Sequence, residues 1–120
     1  MIEIRPETEN NLLVIQMTEK VTTQDYKEIL IPRFEQHLQT HKKISTVVYL
    51  PSDFQGWELG AMWLDAKFGF QHKNEFDKIA IVGNQRWIRG LVKMAACLIS
   101  GVVKLYGETE LKTAIEWAKD

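Results

Sequence analysis

The chain has 120 residues, with 15 Lys and Arg against 16 Asp and Glu for a formal charge of −1, and is 45% apolar and 10% aromatic. Autonomous domains mostly run to about 100–150 residues, so residues 1–120 are expected to form a single domain. The apolar fraction excludes the disordered class, and the near-neutral balance argues against a dedicated nucleic-acid binder, which would cluster Lys and Arg against phosphates.

Ile2 and Ile4 alternate with Glu3 and Arg5, and Leu12 to Met17 follows a polar stretch, so the chain is expected to open with two strands joined by a turn. Thr22 and Asp25 have the spacing of a Thr-x-x-acid helix start in which the hydroxyl accepts from a free backbone N–H. An apolar row follows at Tyr26, Ile29, Leu30, Phe34 and Leu38. Pro32 falls inside this helix and predicts a kink, or a restart with Pro32 in the first turn of a second segment. Ile44 to Leu50 is short and β-branched, as suits a strand covered on both faces, and Pro51-Ser52-Asp53 ends it. A second helix is predicted from about Gly56 to Phe70, then a strand from Lys78 to Val82 closed by Gly83. A third helix runs from a cap at Asn84 to about Ser100, a strand from Val102 to Tyr106, and a last helix from Glu108 to Lys119. The order β-β-α-β-α-β-α-β-α implies an α/β fold with a mixed sheet, right-handed crossovers and helices covering the faces.

The two middle helices carry more apolar surface than one buried face requires. At 100° per residue, Leu59, Met62, Trp63, Ala66 and Phe70 fall on one stripe, and Trp57, Ala61, Leu64 and Phe68 on a second stripe nearly opposite. One stripe faces the sheet; the other meets a neighbouring helix, a ligand, a membrane or a partner chain. In the third helix Trp87, Ile88, Leu91, Val92, Met94, Ala95, Leu98 and Ile99 make a broad apolar arc opposite Arg86, Arg89 and Lys93. Such a helix suits the surface of an anionic bilayer, but three charges are few, and by itself it better suits a core position in which the three cations form the wet face.

Catalytic signals are thin. Cys97 lies near the basic band, but no His is close to it in sequence, and a lone helical Cys more often serves as a small filler. His37 and His41 are one turn apart without the further ligands a zinc site needs, and fit a helix C-terminus. There is no Walker sequence, no G-x-G-x-x-G and no H-E-x-x-H, so no enzyme, cofactor or metal is expected. Met1 to Pro6 has neither a basic start nor a long apolar run, Cys97 has no partner for a disulfide, and no stretch reaches the roughly 18 apolar residues that span a bilayer. The expected location is the cytoplasm.

Asp53-Phe54-Gln55-Gly56-Trp57, Trp63-Leu64-Asp65, the block from Phe76 to Gly83 followed by Trp87, and Ala114-Ile115-Glu116-Trp117, in this element order, resemble the SpoIIAA-like group of STAS domains, a group also described as related to CRAL-TRIO lipid-transfer domains. The resemblance runs over essentially the whole chain. It implies a small bacterial cytoplasmic protein without enzymatic activity, whose helical side opens, takes up a nonpolar ligand and touches membranes. Anti-sigma-factor antagonists of the wider group carry a phosphorylatable Ser in an Asp-Ser-Ser-Gly-like motif before the second helix. This chain has Pro51-Ser52-Asp53-Phe54-Gln55-Gly56 there, leaving Ser52 as the one candidate.

The expectation is therefore a binding domain for a nonpolar or lipid-like molecule, with Trp57, Met62, Trp63, Leu64, Phe68, Trp87, Leu91, Met94 and Leu98 as candidate lining. Arg86, Arg89 and Lys93 would attract an anionic headgroup or the inner membrane face. The competing expectations are a protein-interaction switch operated through Ser52 and a homodimer that hides the surplus stripe.

Overall fold

Leu12, Val14, Val47, Ala80 and Val82 point to one apolar layer, while Leu13, Ile15, Met17, Ile79 and Ile81 point to another. This alternation makes the central strands buried on both faces. The computed structural model describes all of residues 1–120. Its five-stranded sheet has the order β1 (Ile2–Ile4), β2 (Leu12–Met17), β4 (Ile44–Tyr49), β6 (Phe76–Val82) and β7 (Val102–Tyr106). β1 runs antiparallel to β2, with Ile4 opposite Ile15, and the other neighbours are parallel, with Val14 beside Val47 and Val48 beside Ile81. The mixed α/β fold is the one expected.

α5 (Leu111–Lys119) covers one face, burying Ala114, Ile115 and Ala118 against the smaller apolar layer. The larger layer lies beneath the remaining helices, with Tyr26, Leu30, Phe34, Ala61, Phe68 and Ile88 at its centre. The first helix begins with the hydroxyl cap expected from its spacing, made reciprocal: Thr22 Oγ1 accepts from Asp25 N–H at 3.1 Å, and Asp25 Oδ2 accepts from Thr22 N–H at 2.9 Å. α1 (Thr23–Asp25) then passes into a π turn (Tyr26–Leu30), closed by Ile31 N–H donating to Tyr26 O, and restarts as α2 (Ile31–Leu38) with Pro32 in its first turn. A proline ring collides with the carbonyl four residues back, here that of Glu28, and a widened turn relieves the collision.

Several boundaries differ from expectation, among them β6, which begins at Phe76 rather than Lys78, and the last helix, which begins at Leu111 rather than Glu108. Phe54–Trp57 is not the start of a helix but strand β5, which pairs in parallel with β3 (Glu19–Val21) as a separate two-stranded sheet; α3 starts later, at Leu59–Gln71. Gly56, which suggested a helix start, instead adopts φ +98° within β5, a conformation open to glycine at little cost. α4 spans only Ile88–Leu98, and Asn84 does not cap it: Asn84 Oδ1 accepts from Glu108 N–H at 3.0 Å, at the 3₁₀ turn (Glu108–Glu110) that leads into α5.

Candidate ligand cavity and helical surface

The two stripes of α3 have separate fates. Ala61 and Phe68 are buried and Leu64 is half-buried against the larger apolar layer, whereas Leu59 is 85% exposed, Trp63 71% and Phe70 60%. Leu59, Trp63 and Phe70 of the surplus stripe therefore face outward, while Met62 and Ala66 of the same stripe border the space beneath the helix. On α4 and its approach, Trp87, Met94 and Leu98 are exposed as well.

Between these helices and the sheet lies a cavity of about 210 Å³. Of its 21 lining residues, 18 are hydrophobic: β2, β4 and β6 form the floor, the π turn and α2 one wall, and α3 and α4 the roof. Phe34 anchors the wall, packed edge-on to Phe68 with centroids 4.8 Å apart and tilted against Phe76 at 5.0 Å. Of the candidate residues, Trp57, Met62, Phe68, Leu91, Met94 and Leu98 border this space.

Trp63, Leu64 and Trp87 do not. Trp63 points to solvent on the outer stripe, and Leu64 packs into the core. Trp87 sits outside the cavity, 5.7 Å from the rings of both Phe54 and Trp57 in an aromatic trio that ties the small sheet to the start of α4. A helical wheel separates stripes but does not say which edge of a stripe meets a void.

The polar part of the cavity wall carried no sequence motif. Tyr26 Oη donates to Asp65 Oδ1 at 2.8 Å, bringing together residues from the π turn and α3. Burial raises the Asp65 carboxyl above its ordinary range, an effect the hydrogen bond from Tyr26 partly offsets. Burial likewise lifts the Tyr26 phenol well above its usual value, reinforced by the neighbouring carboxylate and partly countered by the Trp57 indole. Trp57 Nε1 is buried beside this phenol without a hydrogen-bond partner, and so is Thr46 Oγ1 on the floor. The sequence signals for these residues were Tyr26 at the head of an apolar row, Asp65 interrupting an apolar helix, and the place of Trp57 and Asp65 in blocks that resemble the SpoIIAA-like group, none of which pointed to a polar corner.

Arg86 and Arg89 border a shallow polar hollow at the ends of β6 and β7, formed with Gly83, Asn84, Gln85 and Gly107, while Lys93 lies exposed further along α4. None of the three cations is in an ion pair. Ser52 is exposed in the turn between β4 and β5, where its N–H donates to Glu108 Oε1 at 2.9 Å. Cys97 is exposed on α4. At the end of α2, His41 Nδ1 lies 3.3 Å from His37 O and His37 Nδ1 2.7 Å from Asn10 O. No helix is long and apolar enough to cross a membrane.

A mostly parallel sheet with a helical layer on each face is the fold of a binding or interaction domain of the STAS type. The chain belongs to the SpoIIAA-like family, whose model matches residues 12–119. It is similar to the crystal structure of an uncharacterized protein with a SpoIIAA-like fold, of the DUF3478 family, from Shewanella loihica PV-4. That likeness has a TM-score of 0.76 at 25% identity and covers 98% of this chain and 93% of the other. No curated protein matches the chain. Domains of this family are generally non-enzymatic.

Proposed function

We propose that the protein binds a small nonpolar or lipid-like molecule in the cavity beneath α3 and α4 and associates peripherally with anionic membranes, without catalysing a reaction. The observation that carries this reading is the combination of an apolar void of about 210 Å³ beneath α3 and α4 and the exposed Leu59, Trp63 and Phe70 on the outer side of α3. A void lined by aliphatic and aromatic groups excludes water and favours an apolar guest, and exposed apolar side chains beside cations suit the boundary where such guests are stored. Arg86, Arg89 and Lys93 supply the cations for anionic headgroups.

Native mass spectrometry of freshly purified protein tests the proposal. An adduct of small, extractable, apolar mass is the expected result; bare protein that also fails to bind added apolar probes overturns it. Light scattering at twice the chain mass would instead assign the outer stripe to a homodimer. The switch reading, with Ser52 as phosphorylation site, has less support: Ser52 is exposed, but its backbone is held by the Glu108 carboxylate, and a phosphate there would meet a like charge. A change in affinity for a kinase-like partner on Ser52→Asp would support it.

A further inference from the structure

An apolar guest need not be apolar throughout: besides Thr46 Oγ1 on the floor, the cavity wall has a corner with both a free donor and a free acceptor, which a pure hydrocarbon leaves unsatisfied. Tyr26 Oη spends its proton on Asp65 Oδ1, which leaves the second carboxylate oxygen as an acceptor. Trp57 Nε1, buried on the same wall, is a donor with no acceptor. An acceptor and an unused donor thus flank one phenol inside a space that is otherwise almost wholly apolar.

The guests that chemistry allows differ in how they meet this corner. A carboxylate sets a second anion beside Asp65 and is repelled. An alkylammonium pairs with Asp65 but turns a positive group toward the Trp57 N–H, which then stays unpaired at the cost of its lost solvation. A hydroxyl donates to Asp65 and accepts from Trp57 with one oxygen and carries no charge into the cavity.

We propose that the cavity selects an amphiphile with an uncharged hydroxyl head, such as a medium-chain alcohol, with Trp57 and Asp65 as the head-group contacts and Tyr26 as the positioning residue that holds Asp65. This rests on the reading of the cavity as a ligand site and names the class of ligand. A dry cavity of about 150 Å³ accommodates benzene, so 210 Å³ suits a chain of roughly eight to ten non-hydrogen atoms.

Calorimetric titration of the full chain with 1-octanol, octanoate and octylamine near neutral pH tests the assignment. Octanol is expected to bind about tenfold or more tightly than either charged analogue, as one satisfied buried hydrogen bond predicts. Trp57→Phe is expected to weaken octanol by about tenfold while leaving octanoate nearly unchanged. Asp65→Asn is expected to narrow the gap between octanol and octanoate. Equal affinity for all three, or tightest binding of octanoate or octylammonium, overturns the head-group assignment and leaves the cavity as a ligand site. Failure of all three to bind overturns both. The comparison on the unmodified chain decides the matter even where a variant does not fold.

Discussion

Tyr26 Oη and Asp65 Oδ1, 39 residues apart in sequence, meet at 2.8 Å on the wall of an apolar cavity. The pair couples the π turn to α3 and places two ionisable groups where ionisation is disfavoured. Both groups have their folded-state pKa raised: Asp65 above 3.8 and Tyr26 well above 10.0, each mainly by burial.

The sign of the resulting pH dependence follows from linkage. A raised folded pKa contributes stability that is complete below the unfolded value and is lost as pH rises through the folded value. Asp65 is therefore a cost at neutral pH that disappears as pH falls toward 3.8, and Tyr26 adds a loss of stability once pH climbs above 10.0. Asp65→Asn keeps an acceptor for the Tyr26 hydroxyl and removes the charge. The variant is expected to be more stable than the parent at neutral pH, with the difference shrinking between about pH 7 and pH 4. Urea midpoints across that range measure it; a variant less stable at every pH would refute the assigned burial cost.

Phe34 is 1% exposed and holds Phe68 and Phe76 around it at one end of the cavity. Phe34→Ala is expected to cost about 3–5 kcal/mol, because the neighbouring void already prevents the site from collapsing onto the lost ring. Chemical denaturation reads the loss, which for a domain of this size is a large share of the total.

Two glycines are expected to respond in opposite directions. A Cβ at Gly69, inside α3, meets nothing within 4 Å, so Gly69→Ala is expected to stabilise the fold by about 0.5–1 kcal/mol through helix propensity alone. A Cβ at Gly101 would lie 2.7 Å from Phe76 O and press on the Asp77 backbone as well, neither of which is a side chain that can turn away. Gly101→Ala is expected to destabilise by about 1–3 kcal/mol and to disturb the entry into β7. Thermal melts of the two single variants check both signs.

Arg86, Arg89 and Lys93 are unpaired, and Trp63 projects from the outer stripe. Binding to vesicles rich in anionic lipid is expected to weaken as salt rises and to vanish in Arg86→Glu with Lys93→Glu, while Trp63→Ser weakens it without changing the salt dependence. Vesicle sedimentation at two salt concentrations measures this, and indifference to both salt and charge reversal would remove the membrane from the proposal.

The elements were legible where the signal is local. Alternation between two layers marks β2, β4 and β6, and the Thr22–Asp25 spacing marks a helix start that the structure satisfies with both reciprocal bonds. Pro32 announced the restart realised as a π turn and a new helix. β3 and β5 escaped because Glu19-Lys20-Val21 buries a single apolar residue and Gly56 interrupts Phe54–Trp57, so neither shows an alternation, and their pairing joins Val21 to Trp57 across the intervening helix and strand.

The sequence by itself determined that α3 has two apolar stripes, since side-chain direction along a helix follows from its pitch alone. It also carried, in the motifs shared with the SpoIIAA-like family, the mixed sheet on which that helix rests. Only the tertiary structure decided that Ala61 and Phe68 turn inward, that Trp63 stays in water, and that Asp65 reaches Tyr26 beside an unpartnered Trp57. Those outcomes depend on how separate elements approach one another, and that approach is fixed by packing between residues far apart in the chain, which no local pattern encodes.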